Sequence, residues 1–198
     1  ISLAGLTGNE RVMDAYCGIG TIGLIASRDA REVISVELNP DAVRDAVTNA
    51  KRNQIKNVSF YQNDAGAFMV SMAEKGEKAD IVFMDPPRAG SDEAFLSSVV
   101  TLSPKKVVYV SCNPETLARD LRYLTKHGYK AEEAWGYDMF AWSEHVESIV
   151  LLSKLKSNKL KHINVELEMD ELDLMAAESK AIYAEVKDYV SEAKRIES

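Results

Sequence analysis

Cysteine is nearly absent: the chain of 198 residues has two, Cys17 and Cys112. Two thiols cannot build the disulfide framework of a small secreted fold, so a reducing, cytoplasmic setting is the default expectation. They also exclude a four-cysteine metal or iron–sulfur site within this chain. No apolar run approaches the roughly 20 residues that a membrane-spanning helix requires. The opening residues have no basic segment of the signal-peptide kind. They also lack an initiator Met, which leads us to expect a fragment of a longer protein. Positive charge is in deficit, with 24 Lys and Arg against 31 Asp and Glu, a net charge of −7. A non-specific nucleic-acid binder is normally basic. If this chain acts on nucleic acid, most of the grip on phosphate must come from elsewhere. There are no internal repeats and no low-complexity tract.

What is present is ordinary globular material. Hydrophobic residues make up 46% and charged residues 28%, enough for one domain with a real core. Over residues 1–155 short apolar runs alternate with helical patterns. Strands are expected at 12–16, 33–38, 58–61, 79–84 and 106–112. Asn39-Pro40 and Asn113-Pro114 each combine an N-cap with proline at the first helical position. Strands alternating with helices predict an α/β fold, a mostly parallel sheet covered on both faces. Further strands at 132–137 and 149–155 have no helix between them and predict a C-terminal antiparallel hairpin. Residues 156–198 are expected to be a polar linker followed by an acidic strand and helix. Residues 159–198 hold over half of the excess negative charge, and the tail reads as a solvated helix packing on the domain.

Gly18-Ile19-Gly20-Thr21-Ile22-Gly23 follows the first strand and opens the first helix. In that position G-x-G-x-x-G lets the backbone approach a ligand and presents free N–H groups. Glu37 ends the second strand, where a carboxylate can accept from both hydroxyls of a ribose. A nucleoside-containing cofactor is therefore expected. Asp14 lies just before the glycines. A carboxylate there suits a cofactor with a free amino group and repels a pyrophosphate, which favours S-adenosylmethionine over NAD. Asp64, after the third strand, could accept from an adenine amino group or be a solvated turn residue.

Asp85-Pro86-Pro87-Arg88 ends the fourth strand, on the edge where open α/β sheets bind ligands. Cys112 ends the fifth, directly before a helix N-terminus, a setting that favours a thiolate. Cys17 reads as packing. A Cys17–Cys112 bridge is not expected, because the fourth strand should lie between their strands.

The spacing of Asp14-Ala15-Tyr16-Cys17-Gly18-Ile19-Gly20, Asp85-Pro86-Pro87-Arg88-Ala89-Gly90, Ser111-Cys112-Asn113-Pro114 and Asp138-Met139-Phe140 followed by His145-Val146-Glu147 resembles the RNA (uracil-5-)-methyltransferases. The likeness covers about residues 3–155. It is stronger to the RumA type, which modifies 23S ribosomal RNA, than to the tRNA-specific type. The resemblance implies a class I S-adenosylmethionine-dependent methyltransferase fold and a uridine in RNA as acceptor. It implies Cys112 as nucleophile, Glu147 as general base, and cofactor contacts from Tyr16, Thr21, Glu37, Asp64 and Asp85, beside the backbone at Gly18 and Gly20 already read from the glycine loop, with Asp85 also able to orient the base or the cofactor. No metal is implied. His145 is compatible with substrate contact, and Glu144 is a rival base. Relatives of this type usually add an N-terminal RNA-binding domain, which would carry most of the RNA contact. Other readings remain open: a tRNA or other nucleobase methyltransferase, and a non-catalytic S-adenosylmethionine-binding module.

Overall fold

The structure, a computed structural model, describes residues 1–139 and 146–156. The acidic tail, His145 and Glu144 lie outside the described residues. Among the described residues seven strands form one sheet: β1 (Arg11–Ala15), β2 (Glu32–Glu37), β3 (Val58–Gln62), β4 (Ile81–Met84), β5 (Lys106–Ser111), β6 (Tyr129–Tyr137) and β7 (Glu147–Lys154). Their order is β3-β2-β1-β4-β5-β7-β6. β1 to β5 are parallel, whereas β7 runs antiparallel to both β5 and β6. The expected hairpin is therefore present, and β4 does separate β1 from β5, so both cysteines are free.

Among the described residues five α-helices connect the strands: α1 (Thr21–Ala26), α2 (Pro40–Arg52), α3 (Ala65–Glu74), α4 (Glu93–Leu102) and α5 (Pro114–Lys126). All but α1 start from an acidic or amide cap. Asn39, Asp64, Asp92 and Asn113 each accept a backbone N–H from the first turn that they open, which satisfies a donor the helix itself leaves unpaired. These caps follow β2, β3, β4 and β5, so polar groups collect at the carboxyl edge of the sheet. That edge is the ligand edge of such folds.

The core is split by the sheet. On one face Met13, Val36, Val107 and Tyr109 meet Met69, Phe95, Leu96, Leu117 and Leu124 from α3, α4 and α5. On the other, Val12, Val33, Phe83 and Val108 meet Ala26 of α1 and Ala4 near the start of the chain. β4 is buried along its whole length, as a central parallel strand must be. Emptying a site such as Phe95, which is wholly buried, costs about 3–5 kcal/mol in a packed core.

Strand ends differ from expectation for local reasons. β1 stops at Ala15 because Tyr16 turns into the left-handed region, φ 63°. β5 stops at Ser111, whose Oγ accepts the Asn113 N–H at 3.0 Å. β7 starts two residues early, at Glu147, which puts that carboxylate on the sheet.

Candidate active site

The glycine loop is a tight backbone turn. Tyr16, Gly18 and Gly20 all have positive φ, at 63°, 53° and 86°. At Gly20 the positive φ favours glycine, and a Cβ there would also crowd Phe60 at 3.1 Å and Ala46 at 3.2 Å. The Cys17 N–H donates to Val36 O at 2.9 Å, and the Gly20 N–H to Cys17 O at 2.8 Å. Asn49 of α2 adds a bond from Nδ2 to Ile19 O. The loop is thus fixed at both ends before any ligand arrives.

Glu37 faces it. Its Oε2 accepts the Gly18 N–H at 2.9 Å and its Oε1 the Asn39 N–H at 2.8 Å. A carboxylate has about four lone-pair sites. Two are used here, so two remain for the hydroxyls of a ribose. Thr21, the first residue of α1, is exposed beside the loop. Asp64 is exposed on the same edge and caps α3 through the Ala67 N–H at 2.9 Å.

Asp14 departs from expectation. It is 1% exposed, and its Oδ2 accepts the Gly23 N–H at 2.8 Å. It lies beneath the loop and holds α1, so any effect on a cofactor passes through the backbone it braces rather than through a charge open to the cleft. Burial, with smaller contributions from the Asp85 and Glu37 charges, pushes its carboxyl up to about 7 against the pull of the Gly23 N–H. Tyr16 is also turned to the core, its ring packed on Phe95 at 5.3 Å. Burial, then the Asp14 and Glu37 charges, pushes the Cys17 thiol up to about 12. Cys17 is a packing residue.

The second half of the site is built by β4, β5 and β7. Asp85 directly follows β4. Cys112 directly follows β5, and Glu147 begins β7. In the antiparallel register Ser111 pairs with Ser148. One step further along each strand lie Cys112 and Glu147, so the register itself brings the thiol and the carboxylate to the same end of the sheet. Asp85 is close enough to Glu147 that the neighbouring charge, after partial burial, raises its carboxyl above the ordinary range. Cys112 is half-buried. Thiol, two carboxylates and glycine loop therefore share one edge. Among the described residues no cluster of His, Cys, Asp and Glu is arranged to hold a metal ion, and no helix is long and apolar enough to cross a membrane.

Residues 5–155 match the family described as tRNA (uracil-5-)-methyltransferase. The chain belongs to this family. A Halalkalibacterium halodurans protein described as an uncharacterized RNA methyltransferase is 47% identical over 152 residues, covering 77% of this chain and 33% of that protein. The chain thus spans about a third of such relatives. The crystal structure of Pyrococcus abyssi tRNA (uracil-54, C5)-methyltransferase in complex with S-adenosyl-L-homocysteine is 32% identical, with a TM-score of 0.63, over 76% of this chain and 36% of that one. A precorrin-6y C5,15-methyltransferase from Geobacter metallireducens matches at a TM-score of 0.62 and 17% identity, over 77% of this chain and 84% of that one. That likeness shows the fold alone, a class I S-adenosylmethionine-dependent methyltransferase fold.

The sequence reading missed a third group of residues. Asp120, Tyr109 and Ser91, all buried, form a network beside the site that the exposed Arg119 joins from outside. A signal existed: Asp120 is a carboxylate on the helix stripe that also carries Leu117 and Leu124, where an apolar residue is the rule.

Proposed function

We propose that this chain is the catalytic domain of an enzyme that methylates C5 of a uridine in RNA. The observation that carries the reading is the register that sets Cys112 beside Glu147 at the end of the sheet that also holds the glycine loop. Uracil C5 is a weak nucleophile. Addition of the Cys112 thiolate to C6 moves electron density to C5. S-adenosylmethionine, held by the loop at Gly18 and Gly20, by Thr21 and by Glu37, with Asp64 placed for the adenine, would supply a methyl group on a cationic sulfur. Once C5 bears both a methyl group and a proton, Glu147 takes the proton. The electron pair of that C–H bond forms the C5–C6 double bond as the C6–S bond breaks, which frees Cys112. Asp85, beside Glu147, orients the base. The chemistry needs Cys112 reduced, and a reducing cytoplasm is the setting proposed for it.

A base inside a stack is out of reach of such a pocket, so the target uridine is single-stranded or flipped. With a net charge of −7, this chain supplies little of the attraction to phosphate, and regions outside it carry most of the RNA contact. Ribosomal RNA is the substrate favoured by the motif spacing; the Pyrococcus abyssi relative, which acts on tRNA, supports the alternative. The decisive experiment incubates the protein that carries this chain with S-adenosylmethionine and RNA containing 5-fluorouridine. Fluorine cannot leave as a proton does, so a covalent adduct should accumulate and vanish in Cys112→Ala. An adduct that persists in Cys112→Ala overturns the reading. Nucleoside analysis of rRNA and tRNA from cells with and without the protein identifies the substrate class.

A further inference from the structure

One face of α5 grips the segment that follows Asp85-Pro86-Pro87. Asn113 Nδ2 and Thr116 Oγ1 both donate to Arg88 O, at 3.0 and 3.1 Å. Arg119 Nη2 donates to Ala89 O at 3.0 Å and to Ser91 O at 2.9 Å. Asp120 completes the grip from below. Its Oδ2 accepts the Ser91 N–H at 2.8 Å and the Tyr109 hydroxyl at 2.6 Å, and its Oδ1 accepts Arg119 Nε at 2.8 Å. The carboxylate is wholly buried. Gly90 lets the segment close onto it. With φ 74°, a Cβ at this position would lie 2.6 Å from Arg119 Nη2 and 2.8 Å from Asp120 Oδ2.

The three pieces joined at Asp120 adjoin two of the residues proposed for the chemistry, Asp85 and Cys112. Ser91 belongs to the segment that starts at Asp85. Tyr109 lies on β5, three residues before Cys112. Asp120 itself lies on the helix that Cys112 precedes. A buried carboxylate with every bond made is rigid, whereas one lost partner leaves a desolvated charge. The network therefore holds Asp85 and Cys112 in a single relative position. Toward the cofactor half the network meets only the Tyr16 hydroxyl, beside Ser91; none of its hydrogen bonds reaches Gly18, Gly20, Glu37 or α1.

We propose that Asp120 is a positioning residue, which sets Cys112 against Asp85 by locking the 88–91 segment onto α5 and β5. This rests on the uridine-C5 reading for its consequence in catalysis, but the clamp can also be probed without RNA.

The test compares wild type with Asp120→Asn, which keeps the size and one acceptor but cannot serve Ser91, Tyr109 and Arg119 together. Three quantities are measured on protein that is folded by circular dichroism. They are affinity for S-adenosylhomocysteine, the rate of adduct formation with 5-fluorouridine RNA, and the rate at which iodoacetamide alkylates Cys112, followed by peptide mass spectrometry. We expect affinity within twofold of wild type, adduct formation at least tenfold slower, and a Cys112 alkylation rate shifted several-fold. Tyr109→Phe, which removes one bond to the same carboxylate, should slow the adduct by a smaller factor at unchanged affinity. An adduct rate unchanged in folded Asp120→Asn, with only a lower melting temperature, overturns the proposal. Equal losses of affinity and rate overturn it too, since they mark a general collapse. If Asp120→Asn does not fold, Tyr109→Phe decides by the same criteria. If wild type forms no adduct, the uridine-C5 reading fails, and alkylation of Cys112 still decides the clamp: an altered rate at unchanged cofactor affinity supports it, and an unaltered one overturns it.

Discussion

Cys112 and Glu147 each lie one residue beyond the last pair that β5 makes with β7, Ser111 with Ser148. Their proximity comes from sheet register, so it is set by the core and needs no ligand. The two side chains have separable tasks in the proposed reaction. Glu147→Gln removes the base but leaves the thiol. With ordinary uridine RNA and S-adenosylmethionine, this variant should accumulate a methylated covalent adduct that wild type resolves, and product formation should fall by roughly 100-fold or more, the scale of general-base catalysis. Denaturing gels and mass spectrometry of the trapped species check it. Undiminished turnover in Glu147→Gln would shift the role of base to another residue.

Glu37 gives a prediction about binding alone. Its carboxylate has capacity for two more hydrogen bonds beyond those to Gly18 and Asn39. Hydrogen bonds to charged groups contribute about 1.5–3 kcal/mol each. Glu37→Ala should weaken S-adenosylhomocysteine binding by at least about tenfold in calorimetric titration, since 1.4 kcal/mol corresponds to a factor of ten. Glu37→Gln, which retains one acceptor, should fall between. Equal affinity in all three proteins would show that the ribose is held elsewhere.

The parts of this molecule that the sequence makes legible are those set by period and punctuation. Near-continuous apolar runs mark β1, β2, β4 and β5. Asn39-Pro40 and Asn113-Pro114 mark the starts of α2 and α5. The edge where ligands bind follows from chain order, which is why Glu37, Asp85 and Cys112 could be grouped before any coordinates. The direction a side chain takes at that edge has no such pattern. Asp14 and Glu37 are both acidic residues at strand ends, yet one is sealed under the loop and the other half-open beside it. Tyr16 adopts a left-handed backbone with no glycine or asparagine to announce it. Asp120 depends on Ser91 and Tyr109, 29 and 11 residues away, and no local spacing encodes such a meeting.

Gly23 is helical and needs no special φ, yet it has no room for a side chain. A Cβ there would lie 2.6 Å from Ser35 Oγ and 2.7 Å from Asp14 Oδ2. Both atoms are buried on β1 and β2, so neither can swing away into solvent. Gly23→Ala should destabilise the chain by about 1–3 kcal/mol, the usual cost of overpacking, despite alanine's better helix propensity. Gly18 is the contrast, because its Cβ would meet nothing within 4 Å. Gly18→Ala should cost only about 1 kcal/mol, from its positive φ. Urea denaturation of the two variants checks the order; a reversed order would mean that α1 shifts freely on the sheet.

Asp14 ties stability to pH with a definite sign. Its ordinary value is 3.8, and burial raises it to about 7 in the folded chain. Between those values the folded state keeps a proton that the unfolded state has released. Stability therefore falls as pH rises through this window and levels off above about 7. The charges nearest Asp14 are those of Asp85 and Glu37; Asp85 is itself raised, so it adds a slope of the same sign in any variant that retains it. Asp14→Asn isolates the buried group. The amide keeps an acceptor for the Gly23 N–H and brings a donor toward the Ser35 hydroxyl, which is buried without a partner. At about 1.4 kcal/mol per pKa unit, Asp14→Asn should gain on wild type by on the order of a few kcal/mol between pH 4 and pH 8. Urea denaturation of both proteins at four or five pH values measures the gap. Parallel curves would mean that Asp14 ionises as easily in the folded chain as in the unfolded one, and that the Gly23 N–H offsets its burial in full.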